Sequence, residues 1–139
     1  MKVMVIVKAD KNSEAGILPK KELFEQMAKY NEELVKAGVM LAAEGLQPTS
    51  KGKRVHFSGT QRTVTDGPFT EAKELIVGFW LWQVRSMDEA VEWLKRAPFD
   101  GGTEIELRQI FEPEDFGDEI TQELKDQEAR LRAHVASRK

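Results

Sequence analysis

The chain has 139 residues, 40% of them hydrophobic and 32% charged, with a net charge of −3 and no cysteine. That size closes one ordinary core with residues left for an appendage, and the balance is globular rather than disordered. The charge argues against direct nucleic-acid binding, which needs a concentrated basic face. The missing cysteine excludes disulfides, thiolate catalysis and thiolate-held metals.

Residues 2–8 read as a first strand, with Val3, Val5 and Val7 alternating with Met4 and Ile6. A signal peptide has a longer apolar core, so the expectation is a cytoplasmic protein. The longest apolar run, residues 75–82, contains Gly78 and is far short of the roughly 20 residues that span a bilayer, so no membrane partner is expected. After the polar segment 10–13, Pro19 stands where a first helical turn tolerates it. Behind it Leu23, Met27, Tyr30 and Leu34 recur at helical spacing until Gly38. Residues 39–47 read as a second strand, closed by Pro48. Residues 53–58 and 62–65 flank Gly59-Thr60 as a hairpin or a bent third strand. Asp66-Gly67-Pro68 signals a turn, and 76–84 is a strongly apolar strand.

Ser86-Met87-Asp88-Glu89 has the form of a capping box, with Glu89 reaching back to the start of a helix that buries Met87, Ala90, Val91 and Leu94. A last strand over 103–111 alternates Ile105 and Leu107 with Glu104, Glu106 and Arg108. Strand, helix, strand, strand, helix, strand predicts an α+β fold, a ferredoxin-like βαββαβ subunit with an antiparallel sheet. Residues 1–112 form this domain. Residues 113–139 extend it with a helix from 114 to about 137, striped by Ile120, Leu124, Leu131 and Val135.

Two helices cover one face of such a sheet. The strand 76–84 nevertheless carries Phe79 and Leu81 on one side and Trp80, Trp82 and Val84 on the other. An uncovered apolar face of that content is rarely tolerated by a monomer. The expectation is a homodimer, the second subunit supplying the cover.

The densest run of special residues is 65–74, Thr-Asp-Gly-Pro-Phe-Thr-Glu-Ala-Lys-Glu. Val64-Thr65-Asp66-Gly67-Pro68-Phe69, followed by Glu71, Lys73, Glu74 and Gly78-Phe79, resembles the signature of the YCII-related family in its DGPF-domain branch. Glu44-Gly45-Leu46 before Pro48 and the strand Glu104-Ile105-Glu106-Leu107-Arg108 are also similar, and the resemblance spans about residues 2–111. It implies a dimeric α+β barrel of ferredoxin-like subunits, largely of unknown function. It also implies a functional link to an extracytoplasmic-function sigma factor, and hence a regulatory role. Relatives that use a His–Asp pair place the histidine shortly after the first strand; here Asp10, Lys11 and Asn12 follow it, and the only histidines are His56 and His134.

Taken from the residues, Asp66 is a candidate general base or anion-repelling wall, with Lys73 holding a substrate carboxylate and Glu71 and Glu74 tuning both. Against this, Asp-Gly-Pro is ordinary turn chemistry. Glu44 interrupts an apolar strand, either facing a cleft between subunits, near Lys73, or standing at a strand end or bulge at Glu44-Gly45 and pointing into water. Trp80 and Trp82 are candidate walls for a planar ligand, with Phe69 a further candidate ligand contact, although core or interface packing accounts better for the tryptophans. His56 lacks companions for a metal site, and no phosphate loop, nucleophile elbow or zinc motif is present, so no cofactor is expected. Two readings remain open: a small-molecule-binding or accessory homodimer with its ligand in a cleft near the DGPF turn, or a cofactor-independent isomerase, lyase or oxygenase using Asp66 as base.

Overall fold

The computed structural model describes residues 1–69 and 74–138. Met1–Gln109 and Ile110–Lys139 form two compact units. In the first, β1 (Lys2–Lys8) leads to a four-residue helix α1 (Lys11–Glu14) where the sequence suggests only a polar connection. Its cause is a reciprocal cap: Asp10 Oδ1 accepts from Ser13 N at 2.8 Å, and Ser13 Oγ accepts from Asp10 N at 2.9 Å. Helix α2 (Lys21–Lys36) starts two residues after Pro19 and buries Tyr30 and Leu34. It ends at Gly38, whose φ of 73° lets Val39 N reach back to Leu34 O at 2.9 Å.

β2 (Met40–Gly45), β5 (Ile76–Gln83), β1 and β6 (Ile105–Gln109) form one sheet in the order β2-β5-β1-β6, every neighbouring pair antiparallel. This is the expected βαββαβ arrangement. β3 (Lys53–Ser58) and β4 (Gln61–Asp66) make a separate two-stranded sheet joined at Gly59-Thr60, so this segment is a hairpin and adds no strand to the main sheet.

Register sorts the side chains into two faces. Val5 stands opposite Trp80 and Leu107, and Val3 opposite Trp82. Val3, Val5, Trp80 and Trp82 join Tyr30, Leu34, Val39, Val84 and Ala90 in the buried core beneath α2 and α3 (Met87–Lys95), with the partly buried Leu107 packed against it. Trp80 is edge-on to Tyr30 and to Phe99, each at 6.0 Å between ring centres, and tilted on Trp82 at 5.9 Å. Tyr30 Oη donates to Trp93 O at 2.6 Å, fastening α2 to α3; burial pushes its phenol well above the usual range. On the opposite face Met4 pairs with Leu81 and Arg108, and Ile6 with Phe79 and Glu106. There Glu106 accepts from Arg108 and Lys8 Nζ lies 3.4 Å from Glu106 Oε1.

The start of α3 corrects one expectation. Ser86 Oγ accepts from Glu89 N at 3.1 Å as a cap should, but the Glu89 carboxylate accepts from Arg85 N at 2.7 Å rather than from Ser86 N. With Ser86 fully extended (φ −159°), the preceding amide is the one that meets the carboxylate. This backbone bond, aided by the Arg85 guanidinium, holds the Glu89 carboxyl below the usual carboxylate range. A folded-state value depressed below the unfolded one gives stability that is present at neutral pH and lost as pH falls through the folded value. Glu89→Gln is therefore expected to lower the melting temperature near neutral pH, with the difference from the parent closing as pH falls through the depressed folded value. Thermal unfolding across that range measures it, and a difference independent of pH would refute the assignment.

In the second unit the helix expected from residue 114 is interrupted. A 3-10 segment (Pro113–Glu119) contains Gly117 at φ 63°, and α4 (Gln122–Ala136) begins afresh behind Thr121, whose hydroxyl accepts from Leu124 N at 3.2 Å. Phe111 and Phe116 stack at 4.8 Å, while Leu124, Leu131 and Val135 are exposed.

Candidate functional site

The glycines at the ends of β2 and β5 border a cavity in the first unit. Gly45 pairs with Gly78, and Gly78 with Val7, continuing the helix-facing rows set by Ala43, Trp80 and Val5. Side chains at these two positions would fill the gap between sheet and helix. Their absence leaves a cavity of about 390 Å³. Leu23, Phe24 and Met27 of α2 form its roof, Trp80, Phe99 and Val7 its inner wall, and Ala43, Glu44 and the two glycines border it on the β2 side. A Cβ on Gly45 would meet nothing within 4 Å, whereas one on Gly78 would lie 3.1 Å from Glu44 O.

One polar side chain stands in the roof. Asn31 Oδ1 accepts from Trp80 Nε1 at 2.9 Å, which fixes the ring and turns the amide NH2 into the group left to donate. A volume of this size with apolar walls and one oriented amide suits a small, mostly apolar ligand.

The residues singled out in sequence are divided by the structure. Trp80 and Glu44 border the cavity. Glu44 is exposed on an edge strand opposite Phe79, one residue from the strand's end at Gly45, while the irregularity in β2 falls between Met40 and Ala42. Asp66 and Phe69 do not line the cavity. Asp66 closes β4 with its carboxylate on Lys53 Nζ at 2.5 Å, both groups largely exposed. Glu74 is exposed just before β5, and His56 is exposed on β3 opposite Thr63. Glu71 and Lys73 lie outside the described residues. Among the described residues no cluster of three His, Cys, Asp or Glu side chains is placed to hold a metal, and no helix is long and apolar enough to cross a membrane.

The described part of the DGPF turn is lashed to two residues that sequence reasoning passed over, Glu14 and Thr49. Phe69 N donates to Thr49 Oγ1 at 3.0 Å, and Thr49 donates through Oγ1 and N to the Glu14 carboxylate at 2.5 and 3.0 Å. Gly67 N donates to Gly52 O at 3.0 Å, and a Cβ on Gly67 would stand 1.8 Å from Thr49 O, so the close approach itself demands glycine. The Arg54 guanidinium covers the Phe69 ring at 3.8 Å. No local pattern announces these partners; they are distant in sequence and met only through folding. Asn31 and Phe99 are hidden for a similar reason, since they read in sequence as helix surface and loop, while Phe24 stands beside the apolar stripe of its helix and reads as packing.

An uncharacterized protein of Rhizobium meliloti (strain 1021) is 31% identical over 83 residues, 57% of this chain and 67% of that protein. A structure of 5-chloro-2-hydroxyhydroquinone dehydrochlorinase from Burkholderia phenoliruptrix AC1100, in complex with 2,5-dihydroxybenzoquinone, superimposes with a TM-score of 0.43 at 18% identity, over 81% of this chain and 96% of that one. The model of the YCII-related domain matches residues 1–114, and the chain belongs to the YCII-related family.

Proposed function

We propose that the protein is a small-molecule-binding homodimer of accessory or regulatory type, whose ligand is a planar, largely apolar compound held between α2 and the sheet. The observation that carries this reading is the Gly45–Gly78 pair, which withholds side chains where the core would otherwise close. Three aromatic residues border the space on the helix side of the sheet, Phe24, Trp80 and Phe99, and rings recognise rings through dispersion and edge-to-face contact. The Asn31 amide orients an acceptor oxygen on the ligand. The homodimer is supported by the apolar row Met4, Phe79 and Leu81 on the sheet face turned from the helices, each only half-buried in a single copy, beside a buried Ile6.

Calorimetric titration with 1-naphthol and with phenol tests the site. One saturable site per chain is expected, with a negative heat-capacity change from apolar burial. Native mass spectrometry of freshly purified protein reports any retained ligand along with the subunit count. Absence of saturable binding for both compounds, together with a ligand-free mass, would refute the reading.

A further inference from the structure

The hairpin β3–β4 stands apart from the main sheet, and a two-stranded ribbon is marginally stable alone. Ser58 and Gln61 flank its two-residue turn. In such a hairpin the pairs 58–61, 56–63 and 54–65 exchange backbone hydrogen bonds, and the residues between them point their N–H and C=O groups outward. Gly67 N donating to Gly52 O continues that alternation. Arg62, Val64 and Asp66 therefore present their backbone groups along the outer edge of β4, and among the described residues no strand pairs there. The same residues share a face with Val55 and Phe57, and Val55, Phe57 and Val64 are 52%, 68% and 58% exposed.

The sequence of β4 is self-complementary. Laid antiparallel against itself about Val64, it sets Arg62 opposite the partner subunit's Asp66, and Thr63 opposite the partner subunit's Thr65. Every outward N–H then meets a C=O, and opposite charges face each other at both ends. The edge of β3 lacks this property: paired about Val55 it would set Arg54 against the partner subunit's His56. We infer that the free edge of β4 pairs antiparallel with the β4 edge of a second copy about a two-fold axis at Val64, giving a four-stranded ribbon with a continuous apolar face. This contact is separate from the outer face of the main sheet. Two isologous contacts on one chain build assemblies beyond a dimer unless they share one axis.

Amide hydrogen exchange at residue resolution tests it locally. The amides of Arg62, Val64 and Asp66 are expected to be protected at high protein concentration and to lose that protection on dilution. Val64→Pro removes an outward N–H without breaking a β3–β4 bond, and is expected to abolish the protection at Arg62 and Asp66. Arg62→Asp is expected to weaken the association at least tenfold by facing acid with acid. Arg62→Asp combined with Asp66→Arg is expected to restore it, an outcome that a folding defect would not produce. Amides at these three positions exchanging as fast as that of Thr60 at every concentration would overturn the inference, as would failure of the charge swap to restore what Arg62→Asp removes.

Discussion

Gly45→Leu is expected to abolish binding of 1-naphthol while leaving the protein as stable as before or slightly more so. The strand position carries no positive φ, and the new Cβ would meet no atom within 4 Å, so the backbone accepts a side chain without moving. Glycine inside a strand costs about 0.5–1 kcal/mol relative to alanine through chain entropy, and the substitution recovers that. The leucine side chain would occupy the cavity between Met27, Ala43 and Phe24, displacing the ligand. A loss of about 100-fold or more in affinity corresponds to about 2.7 kcal/mol. Gly78→Ala is the contrasting change, because its Cβ would press on Glu44 O at 3.1 Å and disturb the ladder itself. Calorimetry paired with thermal unfolding separates the two outcomes. Unchanged affinity in Gly45→Leu would show that the ligand sits elsewhere.

How far the sequence reveals this site depends on what is local. β1 is legible to the residue because its alternation of valines fits a period of two and nothing else. The core is legible in part: Trp82 and Leu34 fall on apolar faces of their elements and prove fully buried. The cavity is not legible, because it depends on Gly45 and Gly78 becoming neighbours, and that requires the register of β2 on β5. Read singly, one glycine is a strand end and the other an interruption in an apolar run. The DGPF turn shows the converse. Its sequence signal is strong and draws attention to Asp66, but the structural demand falls on Gly67, against Thr49 O, while Asp66 forms an exposed ion pair with Lys53. Glu89 misses its expected partner by one residue, since a capping pattern fixes residue types and not the dihedral of the cap.

The second large effect is expected at Leu81, on the sheet face away from the helices. Leu81 pairs with Met4 on one side and Ala42 on the other, and Phe79 with Ile6 and Glu44, so the two rows place apolar side chains across the middle of the face. Lys8, Glu106 and Arg108 supply charge toward β6, as a polar margin to an apolar centre would. In a single copy Leu81 is half-buried and keeps some contact with water, so a carboxylate there can turn outward and the fold survives. In a face-to-face dimer the two-fold axis brings the change in twice, each copy burying an unpaired acid at a cost of about 2 kcal/mol or more. Leu81→Glu is accordingly expected to raise the dissociation constant of that contact about 1000-fold and to halve the particle mass in light scattering, with circular dichroism unchanged. Trp82→Ala, one residue on and facing the helices, is expected instead to cost about 3–5 kcal/mol of folding stability by opening a void in the core. Adjacent residues thus separate association from folding. If Leu81→Glu left the mass of the particle unaltered, the apolar face would have some other purpose than joining two copies.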